Sequence, residues 1–123
     1  TTLFRSRLTD AIIATTDADA CFDGAERGAW LQVRAGAKLA RLGCDAYAYA
    51  MVAAGTMDMV IEAGLKSWDI EAAMPLIEGA GGLVTDWRGQ AVGQNGGQIV
   101  ISGDPRPLDE ALICLRRSAK SSG

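Results

Sequence analysis

Histidine is absent from the 123 residues, and this absence removes several kinds of catalytic site at once. Ser-His and Cys-His nucleophiles, histidine phosphatases and His-ligated zinc sites all need an imidazole. A metal ion in this protein would have to be held by carboxylates, carbonyls and water, which are typical ligands of magnesium or manganese. The absence therefore makes the acidic residues the first candidates for a functional site.

Cysteine is scarce, because Cys21, Cys44 and Cys114 are the only three and form no CxxC pair. Such a pattern predicts reduced, mostly buried thiols of a cytoplasmic protein. The sequence also lacks an apolar run of the roughly 18–20 residues that span a bilayer. It shows no basic segment followed by an apolar one at the N-terminus. We therefore expect a cytoplasmic protein with no membrane partner.

Positive charge is not concentrated in any stripe, and the formal net charge is -3 with a pI near 4.8. Nucleic-acid binding needs clustered cations that neutralise phosphates, so no nucleic-acid partner is expected. The composition, 49% hydrophobic and 22% charged, is typical of a soluble globular protein. A chain of this length predicts one domain over residues 1–123.

The spacing of apolar residues predicts alternating helices and strands. The predicted strands cover residues 11–16, 57–63, 83–87 and 98–102, and the predicted helices cover 25–42, 46–54, 68–80 and a last segment from Asp104. Pro75 lies past the first turn of its helix, so we expect a kink or a shifted helix start there. Trp30, Trp68 and Trp87 are expected in the core. The alternation predicts the α/β class, with a mixed, mostly parallel sheet flanked by helices.

Two carboxylates flank a glycine-containing loop between a predicted strand and helix: Glu62 and Asp69. Open α/β sheets place ligand sites at the carboxyl ends of strands, so both could bind a divalent cation or a substrate. A commoner role for Asp69 is helix N-cap, and Asp45 is an equally good candidate for one. Glu62 taken alone is typical of a solvated strand end. On the residue pattern alone, these alternatives stay open.

A longer pattern surrounds these carboxylates and resembles the second signature of the inositol monophosphatase superfamily. Trp68–Ala73 is similar to its Trp-Asp and small residues, and Ile77–Gly82 to its acidic-Ala-Gly-Gly ending. Arg41–Asp45 and Thr85–Gly89 fit the same pattern in order and spacing. The resemblance is strong over residues 41–89. It implies a magnesium-dependent phosphomonoesterase with layered α/β/α/β/α architecture.

The resemblance also implies roles for single residues. Asp69 would ligate the metal, while Glu62, Arg41 and Asp45 would contact the substrate. Residues 41–49 and 62–66 are most similar to the histidinol-phosphate phosphatases of the family, because Asp45 stands where the inositol enzymes usually have a small uncharged residue. Asp45 and Glu62 could pair with the cationic amine of histidinol through charge-assisted hydrogen bonds. We therefore expect histidinol phosphate as the substrate, in histidine biosynthesis, with an inositol phosphate as the alternative.

The family's other metal-binding motifs are missing from the sequence. Its Gly-Glu-Glu and Asp-Pro-Ile/Leu-Asp-Gly-Thr stretches do not occur. One ligand such as Asp69 cannot hold a magnesium ion by itself. The resemblance thus predicts a C-terminal half without its own catalytic residues, inactive alone, whose partner is the missing N-terminal half. An apolar docking face could also favour a homodimer. The competing hypothesis is a non-catalytic domain that binds a ligand or a partner through the same rim.

Overall fold

A computed structural model describes residues 7–43, 47–93 and 97–120, and it shows an α/β fold. The helices are α1 (Gly24–Gly36), α2 (Tyr47–Ala53), α3 (Ser67–Gly79) and α4 (Pro105–Leu115), and the strands are β1 (Ile12–Thr15), β2 (Leu39–Leu42), β3 (Met59–Leu65), β4 (Leu83–Thr85) and β5 (Gly97–Ser102). None of these helices, within the part of the chain just defined, has the length and apolar character that crossing a bilayer requires.

The five strands form one mixed sheet in the order β2-β1-β3-β5-β4. β1 pairs in parallel with β2 and β3, whereas β5 pairs antiparallel with β3 and β4. The mixed sheet with flanking helices confirms the predicted α/β class, but the sheet is not mostly parallel, because β5 runs antiparallel to both of its neighbours. The carboxyl ends of β1, β2 and β3 meet at the same edge of the sheet, which makes that edge the place to look for a ligand site.

Each face of the sheet carries its own hydrophobic core, because successive side chains of a strand point to opposite faces. The core under α1 and α4 includes Ile13, Met59 and Ile61 from the strands. The core under α2 and α3 includes Ala14, Val60 and Ile101. We call these two sides the α1–α4 layer and the α2–α3 layer. The central strand β3 is buried on both sides over residues 59–63.

The predicted helix over residues 25–42 is wrong in its last part, which forms β2. Ala37 leaves the helix with φ −88° and ψ 160°. The amides of Lys38 and Leu39 then donate to the carbonyl oxygen of Ala11 at 3.0 and 3.4 Å, which starts the pairing with β1. β2 lies at the sheet edge and is mostly exposed, so it lacks the alternation of apolar and polar residues that identifies a strand.

Two side chains, Trp68 and Cys21, differ from their predicted burial. Trp68 is 66% exposed rather than in the core, whereas Trp30 and Trp87 are buried as expected. Cys21 is exposed and Cys114 is half-buried, so the predicted burial of the thiols is wrong for Cys21; Cys44 lies outside the described residues. Pro75 does not shift the start of α3, which begins at Ser67.

The first turn of α1 is tied to the segment that follows α4. Asp23 is the N-cap of α1 and forms a capping box with Glu26. The ammonium group of Lys120 lies 2.7 Å from a carboxylate oxygen of Asp23. This contact lowers the pKa of Asp23 and raises the pKa of Lys120. The side chain of Gln98 donates to buried Glu26 at 2.7 Å, so β5 joins the same cluster.

Candidate active site at the carboxyl end of the parallel strands

Glu62 is the most deeply buried carboxylate at this edge, with 1% of its surface exposed. The hydroxyl and the amide of Thr16 donate to its Oε1 at 2.7 and 3.1 Å, and the hydroxyl of Thr15 donates to Oε2 at 3.4 Å. A buried carboxylate is tolerated only with such partners. The interpretation of Glu62 as a solvated strand end is therefore wrong, because β1 ends beside it and supplies the donors.

A β-bulge follows Glu62 immediately. Glu62 lies opposite Ile99 and Leu65 lies opposite Gly97, so three steps along β3 match two steps along β5. Gly64, between them, has φ +70°, a conformation that side chains rarely allow. Bulges of this kind redirect a strand and are common beside functional sites. A single glycine in a strand pattern is the sequence signal that predicts such a bulge.

Asp69 lies in the first turn of α3, seven residues after Glu62. The N-cap of this helix is Lys66, so the N-cap role considered for Asp69 is wrong. Its carboxylate instead accepts a hydrogen bond from the amide of Lys66 at 3.3 Å and remains exposed. An exposed carboxylate beside the carboxyl end of β3 is available to a cation that approaches this edge.

The segment that leads toward Asp45 reaches the same edge. Arg41 lies on β2 opposite Ala14, so it faces the α2–α3 layer, and it is exposed. The amide of Gly43 donates to the carbonyl oxygens of Thr15 and Thr16 at 3.3 and 2.8 Å. The chain thus passes directly beside the threonine that holds Glu62. Asp45 itself lies outside the described residues.

The chemistry of the donors fits one part of a metal site. Asp69 is an exposed carboxylate, which is a ligand that magnesium accepts. The described ranges contain no group of three or more His, Cys, Asp or Glu residues able to hold a metal ion. Asp69 could therefore serve as one ligand of a site that other residues complete.

Another buried carboxylate, Asp86, has a structural role. It accepts hydrogen bonds from the amides of Arg88 and Gln90 at 2.8 and 2.9 Å and pairs with the Arg88 guanidinium. These contacts hold the turn after β4. Sequence reasoning missed the contacts that Thr15 and Thr16 make at this candidate site, and two consecutive threonines at the end of a buried strand were the available signal.

Comparison with known proteins identifies the family. The model of the inositol monophosphatase family matches residues 6–121. The bifunctional phosphatase IMPL2, chloroplastic, of Arabidopsis thaliana is 46% identical over 84 residues, which are 68% of this chain and 24% of that protein. An inositol-1-monophosphatase of Mesorhizobium japonicum is 44% identical over 64 residues, or 52% of this chain and 24% of the relative.

A solved structure of an inositol monophosphatase from Zymomonas mobilis superimposes with a TM-score of 0.84 and 32% identity. The match covers 89% of this chain and 44% of that one, so the chain spans less than half the length of these relatives. The relatives support a phosphatase and do not support the predicted preference for histidinol phosphate. Enzymes of this kind are typically magnesium-dependent. Since the family model matches nearly its whole length, the chain belongs to the inositol monophosphatase family.

Proposed function

We propose that this chain forms the C-terminal part of a magnesium-dependent phosphomonoesterase and contributes one metal ligand and the substrate-contacting groups. The observation that carries the proposal is the fixed carboxylate of Glu62, held by Thr15 and Thr16 at the carboxyl end of β1. Asp69 follows on the next element, and its carboxylate is exposed. A rigid acceptor beside an accessible cation ligand suits a hydroxylated phosphate ester.

The roles of the residues follow from these positions. Glu62 would accept a hydrogen bond from a substrate hydroxyl, because a buried carboxylate with fixed orientation makes strong charge-assisted hydrogen bonds. Asp69 would ligate magnesium (or manganese) together with carboxylates supplied from outside these 123 residues. Arg41, exposed on the same face, would attract the negatively charged ester. When bound, magnesium lowers the pKa of a bound water and stabilises charge on phosphate oxygens.

The substrate that the comparisons favour is an inositol monophosphate, since one relative is named for that activity. Among the described residues, Glu62 is the acceptor that a polyol could use, because a polyol has several hydroxyl donors. Histidinol phosphate is the second candidate, and the residue that favours it is Asp45, a second carboxylate able to pair with an amine. The two candidates differ in charge at the leaving group, so the role of Asp45 separates them.

Phosphate release measured with both esters tests the proposal. A longer polypeptide that adds the segment encoded upstream of Thr1 should hydrolyse one of them in the presence of magnesium, whereas these 123 residues alone should not. Asp69→Asn should lower turnover at fixed magnesium and raise the magnesium concentration needed for half-maximal rate. Glu62→Gln should raise KM for the ester, because an amide replaces the anionic acceptor.

Asp109→Asn is the matched control, since Asp109 is an exposed carboxylate on α4, in the other layer. It should leave every kinetic parameter unchanged. Asp45→Ala should reduce only histidinol phosphate turnover if the second candidate holds. Full activity of Asp69→Asn, or turnover by the 123 residues alone, would contradict the proposal.

A further inference from the structure

Gln98 is a polar residue buried near the start of β5, with 8% of its surface exposed. Its side-chain amide donates to a carboxylate oxygen of Glu26 at 2.7 Å and to the carbonyl oxygen of Ser118 at 2.9 Å. Its side-chain oxygen accepts a hydrogen bond from the amide of Lys120 at 2.8 Å. Such partners are what the burial of an amide side chain requires. This one side chain joins β5 to α1 and to residues 116–120, which we call the α4 extension.

The α4 extension is also fastened directly to the beginning of α1. The hydroxyl of Ser118 donates to the carbonyl oxygen of Ala25 at 3.0 Å. The ammonium group of Lys120 lies 2.7 Å from a carboxylate oxygen of Asp23 and 3.6 Å from one of buried Glu26. Because α1 and the extension hold each other, Gln98 is anchored between two elements that are themselves joined.

The anchored residue lies at the β-bulge beside the candidate site. Its neighbours in β5 are Gly97, which lies opposite Leu65, and Ile99, which lies opposite Glu62. The register shifts between these two pairs, so the backbone ladder fixes this part of β5 less firmly than a regular ladder would. A buried side chain with three hydrogen bonds can supply the missing restraint.

The position of Glu62 depends on this part of β5. β1 pairs with β3 at Met59 and Val60, whereas the pairing with β5 continues to Glu62 and beyond. The backbone of Glu62 is therefore placed through Ile99. A shift at the start of β5 would move Glu62 relative to the donors of Thr16, which belong to the end of β1.

We propose that Gln98 is a positioning residue for Glu62 and that the α4 extension holds Gln98 in place. This inference rests on the proposed function, in which Glu62 accepts a hydrogen bond from a substrate hydroxyl. Gln98 contacts α1, whereas its neighbour Ile99 lies in the core under α2 and α3. Gln98 thus acts from the opposite face of the sheet, through β5, and does not touch the substrate.

Amide hydrogen exchange in the 123-residue chain tests this positioning without any catalysis. The amide of Thr16 reports on Glu62, because it donates to Oε1 at 3.1 Å. Gln98→Met keeps the length of the side chain and removes its three hydrogen bonds. The exchange of the Thr16 amide should accelerate about tenfold more than that of the slowest core amides, which report global unfolding. Ser118→Ala, which removes one contact of the extension, should act in the same direction by a smaller factor.

Val33→Ala is the matched control, because Val33 is fully buried in α1, in the same layer as Gln98. The cavity should lower the global stability, so the Thr16 amide should accelerate no more than the slowest core amides do. If Gln98→Met also gave no excess at Thr16, Gln98 would have a purely structural role and the inference would be overturned.

Kinetics of an active longer polypeptide give the second test. Gln98→Met should raise KM for the ester about tenfold, because Glu62 would lose its fixed orientation. The magnesium concentration for half-maximal rate should not change, since Asp69 lies on α3. Val33→Ala should leave both values unchanged.

The outcomes separate this inference from the proposed function. An unchanged KM of Gln98→Met in an active polypeptide would overturn the inference. Excess exchange at Thr16, together with a longer polypeptide that hydrolyses neither ester, would support the positioning of Glu62 and reject the proposed function.

Discussion

The α1–α4 layer and the α2–α3 layer each pack an apolar inner side against the sheet, but their outer surfaces differ. The exposed positions of α4 include Arg106 and Asp109, with Ile113 as the single large apolar residue. On α3, the exposed residues include two large apolar ones, Trp68 and Leu76. The α4 helix thus has the polar exterior that is typical of a solvent-exposed helix. The α3 helix is more apolar on its outer side, and Asp69 of the candidate site lies in its first turn.

This contrast teaches that an apolar side chain on α3 is not by that fact buried in the fold. The inner side of α3 should matter for folding of the chain, whereas its outer side should contribute little. Variants on adjacent residues of one helix can separate the two sides, because they share local backbone structure and differ only in what they contact.

The largest expected effect comes from Ile77→Ala on the inner side of α3. Ile77 is fully buried in the core under α2 and α3. Removing its side chain should lower the free energy of unfolding by about 2–5 kcal/mol, from lost burial and a residual cavity. Urea denaturation measures this value. Leu76→Ala, one residue away and half exposed, should change the free energy by less than about 0.5 kcal/mol. Equal losses would show that the two sides of α3 are equally buried.

The next largest expected loss of stability comes from Gly82→Ala, because Gly82 lies between α3 and the sheet. A Cβ at Gly82 would lie 2.8 Å from the Cγ2 of Ile77 and 3.1 Å from the carbonyl oxygen of Ser102. The substitution should lower the free energy of unfolding by about 1–3 kcal/mol, because a packed site must shift. Gly28→Ala, within α1, meets nothing within 4 Å and should instead raise it by up to about 1 kcal/mol. Thermal unfolding of both variants tests whether their changes in the free energy of unfolding have opposite signs.

The polar interior of the α2–α3 layer can be tested through Thr16→Val. This variant keeps the size of the side chain but removes the hydroxyl that donates to Glu62 at 2.7 Å. A buried carboxylate that loses a donor should destabilise the fold by about 1–3 kcal/mol. Thr56→Val, at an exposed turn, is the control and should cost less. In an active longer polypeptide, Thr16→Val should also raise KM, since Glu62 would no longer be held in place. An unchanged KM would mean that the hydroxyl does not position Glu62.

The smallest effect concerns the α1–α4 layer and its dependence on pH. The Lys120 ammonium lowers the pKa of Asp23 below its ordinary value of 3.8. The contribution of this carboxylate to stability is therefore present above that pH and is lost as the pH falls below it. Asp23→Asn keeps a good N-cap but removes the charge. Its melting temperature should fall less steeply than that of the wild type on acidification below about pH 4.

The contribution of the Asp23–Lys120 ion pair to stability should also change at high pH. The pKa of Lys120 is raised, so its contribution is complete below the ordinary value of 10.5 and is lost as the pH rises through the higher value. Between these limits the difference between wild type and Asp23→Asn should stay constant, and added salt should reduce it. Parallel melting curves across the acid range would show that Lys120 does not act on Asp23.

Several elements could be predicted from the sequence because their signals are local. The Asp104-Pro105 pair begins α4 as expected, since an Asp N-cap followed by Pro is a strong helix start. The strand around Ile13 and the turn after Asp86 were also predicted. β2 was not, because an exposed edge strand is held by hydrogen bonds to β1 and not by its own pattern of apolar residues. The apolar residues over 37–42 keep a helical spacing, so the sequence predicted helix there, although the helix ends at Gly36.

The candidate site also combines features that the sequence predicts with features that depend on tertiary contacts. The motif around Trp68 and Asp69 identified the family from the sequence by itself, because the order and spacing of several residues are specific together. Only the tertiary structure decided that Glu62 is buried and held by Thr16, which lies 46 positions away. It also decided that Trp68 faces outward while Trp30 and Trp87 are buried. The physical reason is that side-chain identity sets the free-energy gain of burial, whereas the packing of distant elements determines which side chains are covered.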